Sequence, residues 1–205
     1  MIKVHYLVIG RPLYTVWLLE ELGLEYELNI FHRDPETMRA PPELREIHPL
    51  GKSPVIEDGD LLLSETGAIA SYLIEAYSEP GEMAPNRTDL KAWATYTQWL
   101  HYTEASAFVP LLMTMLLARD PRPGSLIDNF AKAEVALHLG YLNDAIGDKA
   151  YILGDKLCGA DIGLGYISGM ADRLDQLGPY ANVQSYIERL RARPAFIRAR
   201  ERTGE

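Results

Sequence analysis

The residues whose types and spacing can do chemistry are concentrated between His48 and Tyr77, in HPLGKSPVIEDGDLLLSETGAIASYLIEAY. Val55-Ile56 and Leu61-Leu62-Leu63 are apolar runs too short for helices and bounded by Pro, Gly and Asp, which reads as a hairpin turning at Glu57-Asp58-Gly59-Asp60. A helix follows at once, with Ser64 placed to cap its free N–H groups and Ala68, Ile69, Tyr72, Leu73 and Ala76 at helical spacing. A helix N-terminus that leaves a strand end offers unpaired N–H donors and a positive dipole end, which suits a carboxylate. Glu65 beside it supplies the opposite charge, so the pair suits a small zwitterion whose ammonium meets Glu65. Upstream, Pro54 cannot donate to a ladder and belongs at a strand start or edge, which leaves the backbone of Ser53 to pair with an extended peptide. Each feature alone is an ordinary hairpin or cap; their conjunction points to a ligand.

These residues need a scaffold. Lys3 to Ile9 reads as a strand, and Gly10-Arg11-Pro12 as a turn into a helix with Pro12 at its first position. Val16, Trp17, Leu19 and Leu22 carry that helix to Gly23. Tyr26 to Phe31 reads as a second strand, parallel to the first because a helix lies between them. A short helix is expected over Glu43 to Ile47. The stretch 78–88, with Ser78, Pro80, Gly81, Pro85 and Asn86, has the composition of a linker. Beyond it Leu90 to Arg119, Ile127 to Gly147, Ala160 to Gln176 and Val183 to Arg193 show helical spacing. The expected organisation is an α/β domain at 1–77, a linker at 78–88 and an all-helical domain at 89–205.

Bulk composition narrows the function. A chain of 205 residues with 47% hydrophobic content can bury a real core. A net charge of −9 argues against nucleic acid or an anionic membrane as partner, since both require a basic face. The longest apolar run, Ala105 to Ala118, contains Pro110 and is too short to cross a bilayer. The first residues lack the apolar core of a signal peptide, and the expected location is cytoplasmic. A single cysteine, Cys158, excludes an internal disulfide framework and a thiolate-rich metal site, so no metal is expected.

His48-Pro49-Leu50-Gly51-Lys52-Ser53-Pro54-Val55, followed by Ser64-Glu65-Thr66-Gly67-Ala68-Ile69, resembles the glutathione-binding half of cytosolic glutathione transferases. The run Arg33-Asp34-Pro35-Glu36-Thr37-Met38 with Ala40-Pro41-Pro42-Glu43-Leu44 is similar to the bacterial and fungal Gtt-type branch, and the likeness continues to Arg193-Pro194. The resemblance implies a thioredoxin-like N-terminal domain joined to an all-α C-terminal domain, a homodimer, glutathione as co-substrate and a small apolar electrophile as its target. Carried over residue by residue, it implies Lys52 toward the glycine carboxylate, Ser53 pairing through its backbone with the cysteinyl part, and a cis Pro54. Glu65 and Thr66 would hold the γ-glutamyl end, with His48 a further candidate at the glycyl end. The electrophile is expected against Trp99, Tyr102, Phe108, Met113 and Met115, aromatic and thioether side chains suited to varied apolar ligands. Cys158 stands where the family has a Ser or Thr helix cap paired with Asp161, and is expected to be a buried structural residue.

A free thiol with a pKa of about 8.5 is mostly protonated at neutral pH, so the glutathione sulfur must be held as thiolate by a donor, a cation or a dipole. Gtt-type members carry a small hydroxyl residue just before the arginine matching Arg11, and this chain has Gly10 there. Three substitutes are available: Arg11 with the neighbouring backbone N–H groups, Tyr6, whose place resembles that of the catalytic tyrosine in other classes, and Tyr14. Two rival readings stay open. One is another glutathione enzyme on the same scaffold, a peroxidase, ether-cleaving lyase or dehalogenase; the other is a protein that binds glutathione conjugates or hydrophobic ligands without turnover.

Overall fold

The strand that opens the chain is buried on both faces apart from Lys3, as a central strand must be. In the computed structural model, which describes every residue from Met1 to Glu205, this strand β1 (Ile2–Leu7) lies between β2 (Tyr26–Phe31) and β3 (Val55–Asp58), with β4 (Leu61–Ser64) outermost. β1 runs parallel to β2 across α1 (Pro12–Glu21) and antiparallel to β3, with Ile2 opposite Tyr26 and His5 opposite Val55. The β3–β4 turn is the two-residue Gly59-Asp60, with Gly59 at φ +57, so Glu57 and Asp58 belong to the strand rather than to the turn expected for them. α2 (Leu44–Ile47) and α3 (Thr66–Tyr77) complete a thioredoxin-like arrangement.

The contacts divide the chain into two units, Met1–Glu79 with Ala192–Glu205, and Pro80–Arg191. The last residues thus return to the first unit, although the sequence places them with the helical domain. A helix starting at Pro194 explains this: α9 (Pro194–Thr203) has Pro at its first turn and buries Ala195, Phe196 and Ala199. Phe196 meets the Trp17 ring edge-on at 5.3 Å and the Tyr14 ring at 6.4 Å. Arg193 grips Glu21 through two bonds of 2.5 and 2.8 Å. Tyr26 and Arg198 donate to Glu20 at 2.6 and 2.8 Å, and Arg202 lies 3.9 Å above the Tyr26 ring.

The second unit holds α4 (Leu90–Tyr102), a π-helical turn (Thr103–Ala107), α5 (Phe108–Arg119), α6 (Leu126–Ile146), α7 (Gly159–Arg173) and α8 (Ala181–Arg191). Leu90–Arg119 is one helical run of 30 residues, with Pro110 inside it. The length argument made on Ala105 to Ala118 therefore does not hold for the folded element, of which Trp99, Leu100, Ala107 and Leu111 are buried. α7 is the core helix, and at Gly163 a Cβ would come within 2.9 Å of Thr103. Its start is built on Asp161, which accepts N–H from Cys158 and Ile152 at 2.8 Å each and the Tyr186 hydroxyl at 2.6 Å. Burial, then the Asp161 carboxylate, pushes the Cys158 thiol up, consistent with a structural residue.

Glu20 supplies a test of the α1–α9 contact. Burial alone raises its pKa, but the Tyr26 hydroxyl and the Arg198 and Arg202 guanidinium groups outweigh burial and hold it below its ordinary value. A lowered carboxylate stabilises the fold above the unfolded-state pKa and loses that contribution as pH falls through the folded one. Urea unfolding of Glu20→Gln should show a deficit against wild type at pH 7 that closes on acidification toward pH 3; a deficit independent of pH removes the ionic account.

Candidate functional site

Register alone brings the chemistry-bearing residues to one end of the sheet. His5 faces Val55 and Ser64 faces Val55 across β3, so the C-terminal ends of β1 and β4, the entry to β3 and the N-termini of α1 and α3 share an edge. In a mixed or parallel sheet this is where ligands are received. At that edge the Ser53-Pro54 peptide is cis. The Ser53 hydroxyl donates to the His5 carbonyl at 2.6 Å and accepts the Leu7 N–H at 3.1 Å. It replaces the next rung of the β1–β3 ladder, so the side chain of Ser53 is committed to the fold and its backbone is the part left for an added strand.

Glu65, not Ser64, is the N-cap of α3, and it sits at φ +74. A non-glycine residue in that region is strained and is retained where the surroundings require it. Ser64 instead meets His48 Nε2 at 3.3 Å, while His48 Nδ1 accepts the Leu50 N–H at 3.4 Å, which ties the loop after α2 to the end of β4. Both partners of His48 thus lie within the protein. The side chains of Lys52 and Glu65 are exposed at this edge and bond no protein group, and the first turn of α3 at Thr66 and Gly67 carries no side-chain cap. A cation, an anion, a strand-like backbone segment and a helix N-terminus therefore line one edge, a set matched to an extended zwitterionic peptide.

The three candidates for holding a thiolate are placed differently. Tyr6 is 0% exposed, and its hydroxyl donates to Glu205 Oε1 at 2.6 Å. Burial first, then that carboxylate, pushes the phenol well above its ordinary value. Tyr14 is buried against Trp17 and Phe196. Arg11 is half-buried and is the N-cap of α1, whose first residue is Pro12.

In the helical unit Trp99 is buried and stacks on Tyr141 at 5.2 Å, with Tyr102 edge-on at 5.2 Å. The Tyr102 hydroxyl is engaged by His138 Nδ1 at 2.9 Å. Phe108 belongs to another cluster, 5.7 Å from Tyr166, and Met113 and Met115 are half-buried on α5. The five residues grouped by sequence are thus two aromatic clusters and a pair of methionines. Sequence reasoning missed Arg33 and Glu205 as parts of the β1 end; Arg33 opens the singled-out Arg33–Met38 run, and only its charge beside a turn could have pointed to it.

Residues 3–75 match the family model described as glutathione S-transferase, N-terminal domain. The chain is 27% identical to Glutathione S-transferase 1 of Saccharomyces cerevisiae, covering 98% of this chain and 95% of that protein. It is 28% identical to Glutathione S-transferase 3 of Schizosaccharomyces pombe, covering 98% and 88%. A solved glutathione S-transferase from Actinobacillus pleuropneumoniae is 34% identical, with a TM-score of 0.90 over 100% of this chain and 93% of that one.

Ser53→Ala leaves the Leu7 N–H and the His5 carbonyl without their partner and should lower the unfolding free energy by about 1–3 kcal/mol. Chemical denaturation measures it, and wild-type stability in the variant would mean that the hydroxyl is not the missing rung.

Proposed function

The chain belongs to the glutathione S-transferase family, and from that premise we propose that it binds glutathione along the edge formed by β1, β3 and α3 and promotes attack of the glutathione sulfur on small apolar electrophiles. The observation that carries this reading is the convergence of Lys52, the Ser53 backbone and Glu65 at the sheet end, with the side chains of Lys52 and Glu65 bonded to no protein group. Lys52 takes the glycyl carboxylate, the Ser53 backbone pairs with the cysteinyl unit, and Glu65 with Thr66 takes the γ-glutamyl amino-acid end; Pro54 sets the chain direction at Ser53, and His48 shapes the loop.

Sulfur then lies near the start of α1, where Arg11 and the adjacent backbone N–H groups are the favoured thiolate partners. Tyr6 and Tyr14 rank behind them because both phenols sit in packed surroundings. In the reaction the thiol proton leaves to solvent, the thiolate forms a carbon–sulfur bond, and the bond from that carbon to its leaving group breaks. Of the candidates in the helical unit, Tyr102, Phe108, Met113 and Met115 are half-buried and are offered to an apolar electrophile. A homodimer and a detoxifying role, drawn from family resemblance, and a cytoplasmic location, drawn from the first residues and the short apolar run, complete the reading.

A second reading, glutathione binding without turnover, is favoured by the Tyr6 bond to Glu205 and by the missing hydroxyl at Gly10. Ultraviolet absorbance of bound thiolate near neutral pH together with conjugation of a chlorodinitrobenzene separates the two readings. Titration calorimetry addresses the site itself: Glu65→Ala should weaken glutathione binding roughly 10- to 100-fold, the loss of one charge-assisted contact. An unaltered affinity takes Glu65 out of the site.

A further inference from the structure

Beyond Leu7 the central strand has to turn into α1, and it does so through an unusual backbone. Ile9, a β-branched residue 56% exposed, sits at φ +60, in a region such residues avoid. One side chain restrains it. Arg33 donates from Nε to the Val8 carbonyl at 3.1 Å, from Nη2 to the Ile9 carbonyl at 2.9 Å and from Nη1 to the Met38 carbonyl at 3.1 Å. The third acceptor is itself fixed, because the Asp34–Arg39 turn closes on Asp34 Oδ1, which accepts the Glu36 and Thr37 N–H groups and the Thr37 hydroxyl. The Arg33 fork is rigid and planar, and a lysine in its place reaches one carbonyl at a time.

Peptide units are planar and trans, so C=O and N–H point to opposite sides. With the carbonyls of Val8 and Ile9 turned onto Arg33, the N–H groups of Ile9 and Gly10 are turned away from it. That opposite side already receives an anionic oxygen: Glu205 Oε1 accepts the Ile9 N–H at 2.8 Å and the Tyr6 hydroxyl at 2.6 Å. Successive amides directed to one side of a left-handed turn make an anion-binding concavity. Gly10 belongs to the same arrangement, since a Cβ there would stand 3.3 Å from Arg33 Nη2 and 3.4 Å from the Pro12 ring, which leaves little room for the hydroxyl side chain of the Gtt-type pattern.

We infer that Arg33 is a positioning residue for the reaction: by holding the carbonyls of Val8 and Ile9 it aims the loop amides at the thiolate of glutathione, and Glu205 is an internal anion that shares those donors. The inference rests on the glutathione reading above and names what supplies donors where Gly10 cannot.

The bound thiol's pKa, followed by thiolate absorbance across pH, tests it beside calorimetric affinity for glutathione. In Arg33→Gln the bound pKa should rise by about one unit, a ten-fold smaller ionisation constant for the bound thiol. Affinity should stay within about two-fold, because Lys52, Ser53 and Glu65 are untouched. Arg33→Lys should fall between the two proteins. A merely structural arginine would change stability and affinity while leaving the bound pKa in place, and that result overturns the inference. Should Arg33→Gln not fold, Glu205→Gln gives a second measurement: removing the like charge should lower the bound thiol's pKa, and an unchanged or higher value counts against the proposal. Wild-type protein that binds glutathione without lowering its thiol pKa overturns the inference and leaves the reading of binding without turnover; wild-type protein that does not bind glutathione overturns both readings with it.

Discussion

The structure depends on how one buried strand satisfies its backbone where its ladders run out. Buried N–H and C=O groups need partners, and past His5 and Leu7 neither β2 nor β3 continues to supply all of them. The Ser53 hydroxyl serves His5 and Leu7, the Phe31 carbonyl takes the Val8 N–H, Arg33 serves Val8 and Ile9, and Glu205 takes the Ile9 N–H. These partners come from three separate segments. The edge of the sheet thereby becomes the place where the loop before β3, the turn after β2 and the end of α9 meet, and the binding edge is built from the same contacts that end the strand.

The division between committed and available groups follows from this. Ser53 uses its side chain within the protein and leaves its main chain at the edge; His48 is held at both ring nitrogens. Lys52 and Glu65, long charged residues on either side of these anchors, engage nothing through their side chains. Glu65 in particular keeps a strained backbone while its carboxylate stays unpaired, an arrangement that serves ligand contact better than stability.

Much of this was legible in the chain. Short apolar runs punctuated by Pro and Gly marked the hairpin, Pro12 marked the start of α1, and the HPLGKSPV and SETGAI motifs marked the edge. Elements set by local chemistry fell close to their expected bounds, as Tyr26–Phe31 did. What was not legible depends on distant partners. Ser64 looks like a cap until His48, 16 residues upstream, is brought to its hydroxyl. Tyr6 looks like a thiol donor until Glu205, 199 residues downstream, claims its phenol. The helix at Pro194 was hidden because a proline inside helical periodicity reads as an ending, whereas here it is also a beginning. In the helical unit, a thiol at Cys158 weakens one half of a cap while Asp161, with three donors, strengthens the other, a balance that composition does not reveal.

The return of Ala192–Glu205 to the first unit has a consequence for biosynthesis. Chains generally fold in the order in which they leave the ribosome. Here the α/β unit begins to emerge first but lacks the cover for Tyr14 and Trp17, and the partner for Glu21, until Phe196 and Arg193 have been translated. The helical unit, contiguous from Pro80 to Arg191, is therefore the first to be complete, and the nascent chain finishes its opening portion last.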